Sequence, residues 1–213
     1  MPRELAVSEA FLGSSIHVNF TGENGSVRIA DPGTAQNVLI TVGEGSSVDI
    51  QGGGLLGQLF IHTGKNAKVR IGKNAGVNGF VRLLLHEAAS ITIGDDCLFS
   101  GLVDLTVSDM HSIIDVETKQ RINPAKDIVI GNHVWIGQKS TIMKGVTIGD
   151  DSVIGAGSIV TKSVPPNCIA AGSPARVIRR GVTWSNELLQ YIAPTIQPAR
   201  YRLAILKPLQ RFF

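Results

Sequence analysis

Five histidines are the side chains of this 213-residue chain whose ordinary pKa suits proton transfer near neutral pH: His17, His62, His86, His111 and His133. His111 stands apart. It lies in Ser108-Asp109-Met110-His111-Ser112-Ile113, where the pattern that governs the surrounding sequence breaks off. Two carboxylates are close enough in sequence to fix its tautomer and favour its charged form: Asp109, two residues before it, and Asp104, one repeat side earlier. An imidazole oriented in this way performs general acid–base chemistry. His86 is a candidate to line the same cleft, whereas His133 falls at a corner between Asn132 and Val134, and His17 and His62 read as ordinary. Cys97 occupies a small-residue position and reads as a buried thiol, and with Cys168 as the other cysteine no disulfide framework is implied.

The element that must position His111 is a repeat. Ile130, Ile136, Ile142, Ile148, Ile154 and Val160 are spaced six apart, and four positions after each stands a small or β-branched residue: Val134, Ser140, Val146, Ser152, Ser158 and Val164. A helix repeats its apolar residues at 3.6 and a half-buried strand at two, so a period of six is a short strand plus a turn, used repeatedly. Three such units close a triangular coil of eighteen residues, as from Ile130 to Ile148. Coils stack through parallel ladders around a continuous apolar interior. Upstream, Ile29, Ile50, Ile71 and Ile93 are spaced 21, 21 and 22, so the early coils are wider, with Gly52-Gly53-Gly54 and Asn78-Gly79 as candidate corners. Ile93 to Ile130 spans 37, one coil plus nineteen residues, which predicts an inserted loop over 109–126. A loop of that length in an economical solenoid is usually functional.

The ends are read differently. Leu5, Val7, Ile16, Val18 and Phe20 suggest short strands in residues 1–24 that cap the first coil. The solenoid runs over 25–178. Pro165-Pro166 is expected to stop the ladder, Asn186 to Ala193 to form a short helix capped by Thr183 or Ser185, and 179–213 to be helix and tail.

The segment Ile128 to Ile178, with GNHVWIGQKSTIMKGVTIGDDSVIGAGSIV followed by TKSVPPNCIAAGSPARVI, resembles the hexapeptide-repeat acyltransferases. The resemblance implies an all-β, left-handed parallel β-helix, where general crossover rules favour the right hand. It also implies acetyl-CoA as acetyl donor and a homotrimer. In such enzymes a histidine at the break in the repeat is the general base, which assigns that role to His111, and Asp104-Leu105-Thr106 is similar to the acidic pattern that precedes it. Trp135, an aromatic in place of a small outward residue, matches a tryptophan beside the thioester. The amides of Gly137 and Gln138 match positions facing the thioester oxygen. Gly155-Ala156-Gly157 matches the pantetheine groove, and Thr161, Lys162 and Arg176 match contacts to the phosphates, with Arg179 and Arg180 as less specific extras. A related fold class binds zinc through histidines five residues apart; no such pair occurs here, so no metal is expected.

Cys97 to His111, Arg121-Ile122-Asn123 and GNHVWIG are most similar to the capsular polysialic acid O-acetyltransferases, although Ser112 stands where proline is frequent. The function implied is O-acetylation of a sugar hydroxyl on a cell-surface or capsular glycan. Transfer to the amine of a nucleotide amino sugar, transfer to an antibiotic hydroxyl, and a non-catalytic scaffold are the alternatives. A net charge of +3 without a basic run points to no nucleic-acid partner. The absence of an apolar leader or an 18-residue apolar run suggests a cytoplasmic protein. The basic, apolar tail from Arg200 to Phe213 reads as a packing segment, with membrane contact as the lesser reading.

Overall fold

An aliphatic residue at every sixth position is buried only if the chain turns a corner between one and the next. The computed structural model, which describes residues 3–7, 15–31 and 33–191, shows that winding. A first face stacks β1 (Glu4–Ala6), β3 (Ser26–Ile29), β5 (Ser47–Ile50), β7 (Lys68–Ile71), β9 (Ser90–Ile93), β12 (Ile128–Ile130) and β15 (Thr147–Ile148), all parallel. A second face carries β10 (Leu98–Phe99), β13 (Trp135–Ile136), β16 (Val153–Ile154) and β18 (Cys168–Gly172). A third carries β11 (Val103–Thr106), β14 (Thr141–Met143) and β17 (Ile159–Val160). Upstream, β4 (Thr34–Val42), β6 (Leu55–Thr63) and β8 (Gly76–Leu85) run through the second and third faces as single long strands.

The hexad aliphatics all point inward: Ile136, Ile142, Ile148, Ile154 and Val160 are fully buried and Ile130 is 1% exposed. Between them the small residues turn the corners. The buried hydroxyls of Ser140 and Ser158 donate to the Gly155 carbonyl, and Ser152 Oγ donates to Pro165 O at 2.9 Å, so no polar group is buried without a partner there. The vertex between the first and second faces is turned by a column of residues in the left-handed region, Asn74, Asp96, His133, Asp151 and Asn167, with φ between 51° and 60°. Asn and Asp tolerate that region better than other non-glycine residues, and His133 is the odd member of the column.

The ends depart in part from the sequence reading. β1 and β2 (Ile16–Phe20) pair in parallel with β3 and β4, so these short strands add rungs to the solenoid. Pro165-Pro166 does not stop the ladder. Val164 bridges to Ile148, the prolines occupy the next corner, where no ladder donor is required, and β18 resumes the parallel stack on β16. The stack ends instead where β19 (Ala175–Arg180) folds back antiparallel on β18. The predicted helix over 186–193 is absent as far as Tyr191. Ser185 Oγ does accept the Glu187 amide at 3.1 Å, but Leu188, Leu189 and Tyr191 are 103%, 69% and 83% exposed, and so short a helix does not persist without a surface to bury its apolar face. Residues 192–213, including the tail, lie outside the described residues.

Each coil is stabilised chiefly by the column inside it. Ile142→Ala is expected to cost roughly 2–5 kcal/mol, read from urea unfolding, whereas Val129→Ala on the outer surface should cost under about 0.5 kcal/mol.

Candidate active site

The third face hands the chain to the first at one vertex, and there the insertion leaves the prism, between Thr106 at the end of β11 and Ile128 at the start of β12. Its tip is a small hairpin closed by an antiparallel bridge between Ile114 and Arg121. Asp115 Oδ1 accepts the amides of Glu117 and Thr118 and the Thr118 hydroxyl, which turns the tip.

The neck of the loop is clamped by groups that the sequence reading did not single out as site residues. Asn123, 7% exposed, binds both limbs. Its Oδ1 accepts from Ile113 N (2.7 Å) and Arg121 Nε (3.1 Å), and its Nδ2 donates to Asp109 Oδ2 (2.7 Å) and to the His111 carbonyl (2.8 Å). From the next coil, Lys144 Nζ donates to Asp109 Oδ2 (2.5 Å) and to the Asn123 carbonyl (3.1 Å). From the preceding coil, Glu87 takes a bidentate pair from Arg121 at 2.6 and 2.7 Å and a short bond from the Ser108 hydroxyl. The backbone of His111 is thus tied to two coils, while its exposed side chain makes no hydrogen bond among the described residues.

Within one chain the two candidate carboxylates are engaged by other groups. Asp109 is engaged by Lys144 and Asn123, and those bonds hold its carboxyl below the usual carboxylate range. Asp104, on the outer side of β11, is paired in bidentate fashion with Arg82 at 2.7 and 2.5 Å. Neither is hydrogen-bonded to the imidazole of His111. Glu87 is held down to about 2, first by Arg121 and then by Ser108.

Trp135 lies outward on the second face, 37% exposed, with Nε1 donating to Ser100 Oγ at 3.2 Å. Its neighbour is Trp184, 6.0 Å away between ring centroids, another residue that carries no repeat or motif signal. Trp184 stacks on His133 at 4.4 Å and 10° and donates to the His133 carbonyl at 2.7 Å. His133 Nδ1 in turn pairs with Asp151 at 2.9 Å, and Thr183 Oγ1 reaches the same oxygen at 3.1 Å. The peptide after β19 is thereby fastened across the first vertex, beside a groove of about 350 Å³ that includes Asn74, Leu98 and Asn186. His133 belongs to this fastening. Cys97 is buried, and burial pushes its thiol up to about 11.

The remaining predicted residues flank the third face. Gly137 and Gln138 open the vertex between second and third faces, and Gly155-Ala156-Gly157 turns it one coil later. Gly137 cannot serve as a free amide donor, because its N–H is in the ladder to Ile154 O at 2.8 Å. It is glycine because a Cβ there would meet Ile154 O and the Ala156 amide within bonding range. The Gln138 amide has no acceptor among the described residues and its carbonyl receives Gly157 N at 2.7 Å. A Cβ on Gly157 would meet open space, and it is the positive φ of 70° there that favours glycine. Thr161 and Lys162 are exposed at the loop's own vertex, two coils on, or about 10 Å along the axis at one strand spacing per coil. Arg176 is exposed on β19, its Nη1 donating to the Ala175 carbonyl. His111 and Trp135 are not brought together within one chain, since the vertex that carries the loop is opposite the second face.

Residues 127–162 match the model for the bacterial transferase hexapeptide, six repeats. A solved structure of the polySia-specific acetyltransferase NeuO is 34% identical, covers 84% of this chain and 92% of its own, and superposes with a TM-score of 0.69. This chain belongs to the hexapeptide-repeat acetyltransferase family. Members of the family wind left-handed, which settles the hand that general rules do not. The polysialic acid O-acetyltransferase of Escherichia coli O1:K1 / APEC is 41% identical over 122 residues, 57% of this chain, and the chain spans only 39% of that relative's length. A galactoside acetyltransferase solved in complex with coenzyme A is 38% identical over 63% of this chain and 64% of its own, with a TM-score of 0.51.

The clamp carries a pH signature. Glu87 and Asp109 both sit below their ordinary values, so their bonds contribute fully above the usual carboxylate range and weaken as pH falls below it, those of Glu87 being lost toward about 2. Hydrogen exchange at the Ile113 and Ile122 amides, corrected for intrinsic rate, should accelerate across that window while first-face amides stay protected; flat protection of the loop amides would contradict the clamp.

Proposed function

We propose that the protein is an acetyl-CoA-dependent O-acetyltransferase that modifies a sugar hydroxyl of a cell-surface or capsular glycan. The observation that carries this reading is His111, whose backbone is clamped from two coils while its ring stays unengaged. In the proposed reaction His111 takes the proton of the acceptor hydroxyl as that oxygen attacks the thioester carbonyl carbon. The carbon–sulfur bond then breaks, and the coenzyme leaves as the thiol after receiving the proton. The unpaired Gln138 amide is suited to the oxyanion formed on the way. Gly155, Ala156 and Gly157 leave room for a pantetheine arm, and Thr161, Lys162 and Arg176 supply bonds to the phosphates.

The opposite placement of His111 and Trp135 supports a homotrimer, in which the loop vertex of one copy meets the second face of its neighbour. The exposed apolar side chains of the loop, Met110, Ile113, Ile114, Val116 and Ile122, suit such a contact. The sugar acceptor is supported by the likeness to the polysialic acid and galactoside enzymes. A cytoplasmic setting suits both the acetyl donor and the buried free cysteines Cys97 and Cys168. Among the described residues no helix is long and apolar enough to cross a membrane.

His111→Ala should lower turnover by roughly 10²–10⁴-fold, while coenzyme A still raises the melting temperature as it does for the unmodified chain. An unchanged turnover number would remove His111 from the chemistry, and no thermal shift with coenzyme A for the unmodified chain would favour a non-catalytic solenoid.

A further inference from the structure

The coenzyme-binding residues proposed above all lie on coils that follow the loop. The solenoid continues in the other direction as well, and its outer surface on that side, at the same vertex, holds a cluster that the proposed transfer step does not use and that includes His86, the candidate to line the cleft beside His111. His62 and His86 face each other with ring centroids 4.7 Å apart and planes inclined at 39°. Phe60 lies parallel to His62, 6.5 Å away and within 10°. All three are half-buried, and neither imidazole makes a hydrogen bond among the described residues. The cluster adjoins the loop. Thr106 pairs with Leu84 and Leu84 with His62, so His86 occupies the rung beside Ser108, and its neighbour Glu87 is the anchor of Arg121.

Two partnerless imidazoles beside an aromatic ring form a surface that offers both donors and acceptors of hydrogen bonds next to an apolar plane. Burial, and then the proximity of His62, lower the pKa of His86, which keeps that ring neutral near pH 7. A shelf of this kind suits the alternating hydroxyl and C–H faces of a pyranose better than it suits a phosphate or carboxylate. Because the acetyl donor approaches from the coils after the loop, a chain of sugars reaching His111 has the coils before the loop on which to lie.

We propose that Phe60, His62 and His86 form a subsite for the sugar unit next to the one that is acetylated, so that the acceptor is an oligosaccharide or polymer rather than a single sugar. The proposal rests on the reading of His111 as the base for transfer to a glycan. It assigns to His62 and His86 hydrogen bonds to hydroxyls of that neighbouring unit and to Phe60 an apolar contact with its ring.

The test compares transfer to monomers with transfer to short oligomers, using sialic acid and galactoside series, in the unmodified chain and in the double variant His62→Leu, His86→Leu. The subsite predicts that oligomers are the better acceptors for the unmodified chain. In the variant kcat/KM for oligomers should fall about tenfold, toward the monomer value, with the monomer constants and the KM for acetyl-CoA unchanged. Equal preference in both proteins overturns the subsite while leaving transfer by His111 intact. Failure of the unmodified chain to acetylate any glycan in either series overturns both. Sedimentation and melting temperature of the variant are measured alongside: loss of the oligomer or of folding assigns the cluster to packing and also overturns the subsite. Phe60→Ala, which leaves both imidazoles in place, should show the same selective loss for oligomers.

Discussion

The constraint on which the rest of this structure depends is the parallel stacking of one three-sided coil on the next. Each backbone amide on a face finds its acceptor one rung away, and each inward aliphatic sits on the aliphatic of the coil before it. A residue added within a face would break both registers at once and turn inward side chains outward. Extra chain is therefore tolerated only at a vertex, and the only long excursion among the described residues leaves there, between β11 and β12. The same geometry decides what one chain can and cannot assemble. A side chain at the vertex joining the third and first faces is as far as the cross-section allows from a side chain on the second face. His111 and Trp135 occupy those two places, so a site that uses both has to be shared between copies.

An excursion from a rigid prism is useful for chemistry only if it is held. Here the holding is polar: Asn123 joins the two limbs, while Lys144 and Glu87 anchor them to the coils on either side. Buried or half-buried polar groups stabilise a conformation only when every member is paired, and in this network Asp109, Glu87, Asn123, Arg121 and Lys144 all have partners. The imidazole of His111 is left out of it. A second fastening, in which Trp184 covers His133 and Asp151, ties the segment after β19 to the vertex next to Trp135. His133 takes a left-handed corner position that elsewhere in the column belongs to Asn or Asp, and its ring is what Trp184 stacks on.

Much of the fold was legible in the sequence because the solenoid's rule is local and repeated. The spacing of Ile130 to Val160 states the coil, and the excess between Ile93 and Ile130 states the loop to within two residues at either end. The contents of the site were less legible. Glu87 and Lys144 join the clamp because they stand one coil before and one after the loop, a relation that a repeat interrupted by nineteen residues hides. Asn123 reads locally as the start of an Asn-Pro turn, and nothing in its neighbourhood announces that it binds His111. Asp109 and Asp104 are near the imidazole along the chain, which suggests them as its partners, yet cations on adjacent rungs, Lys144 and Arg82, reach them first. The motif that points to the Gly137 amide does not say which amides the ladder already uses. The helix over 186–193 rests on local signals, a cap at Thr183 or Ser185 and a stop at Pro194, which do not say whether a surface exists to receive its apolar side chains.

The shared site is the claim on which the account turns, and complementation between two crippled chains measures it most directly. Chains carrying His111→Ala and chains carrying Trp135→Ala, each purified and assayed alone, are dissociated, mixed in equal amounts and reassembled. If His111 of one copy works against Trp135 of the next, random reassembly restores about a quarter of the unmodified activity, because one contact in four pairs an intact histidine with an intact tryptophan. If both residues serve the same site from the same chain, every site in the mixture lacks one of them, and activity that stays at the level of the separate variants would contradict the account.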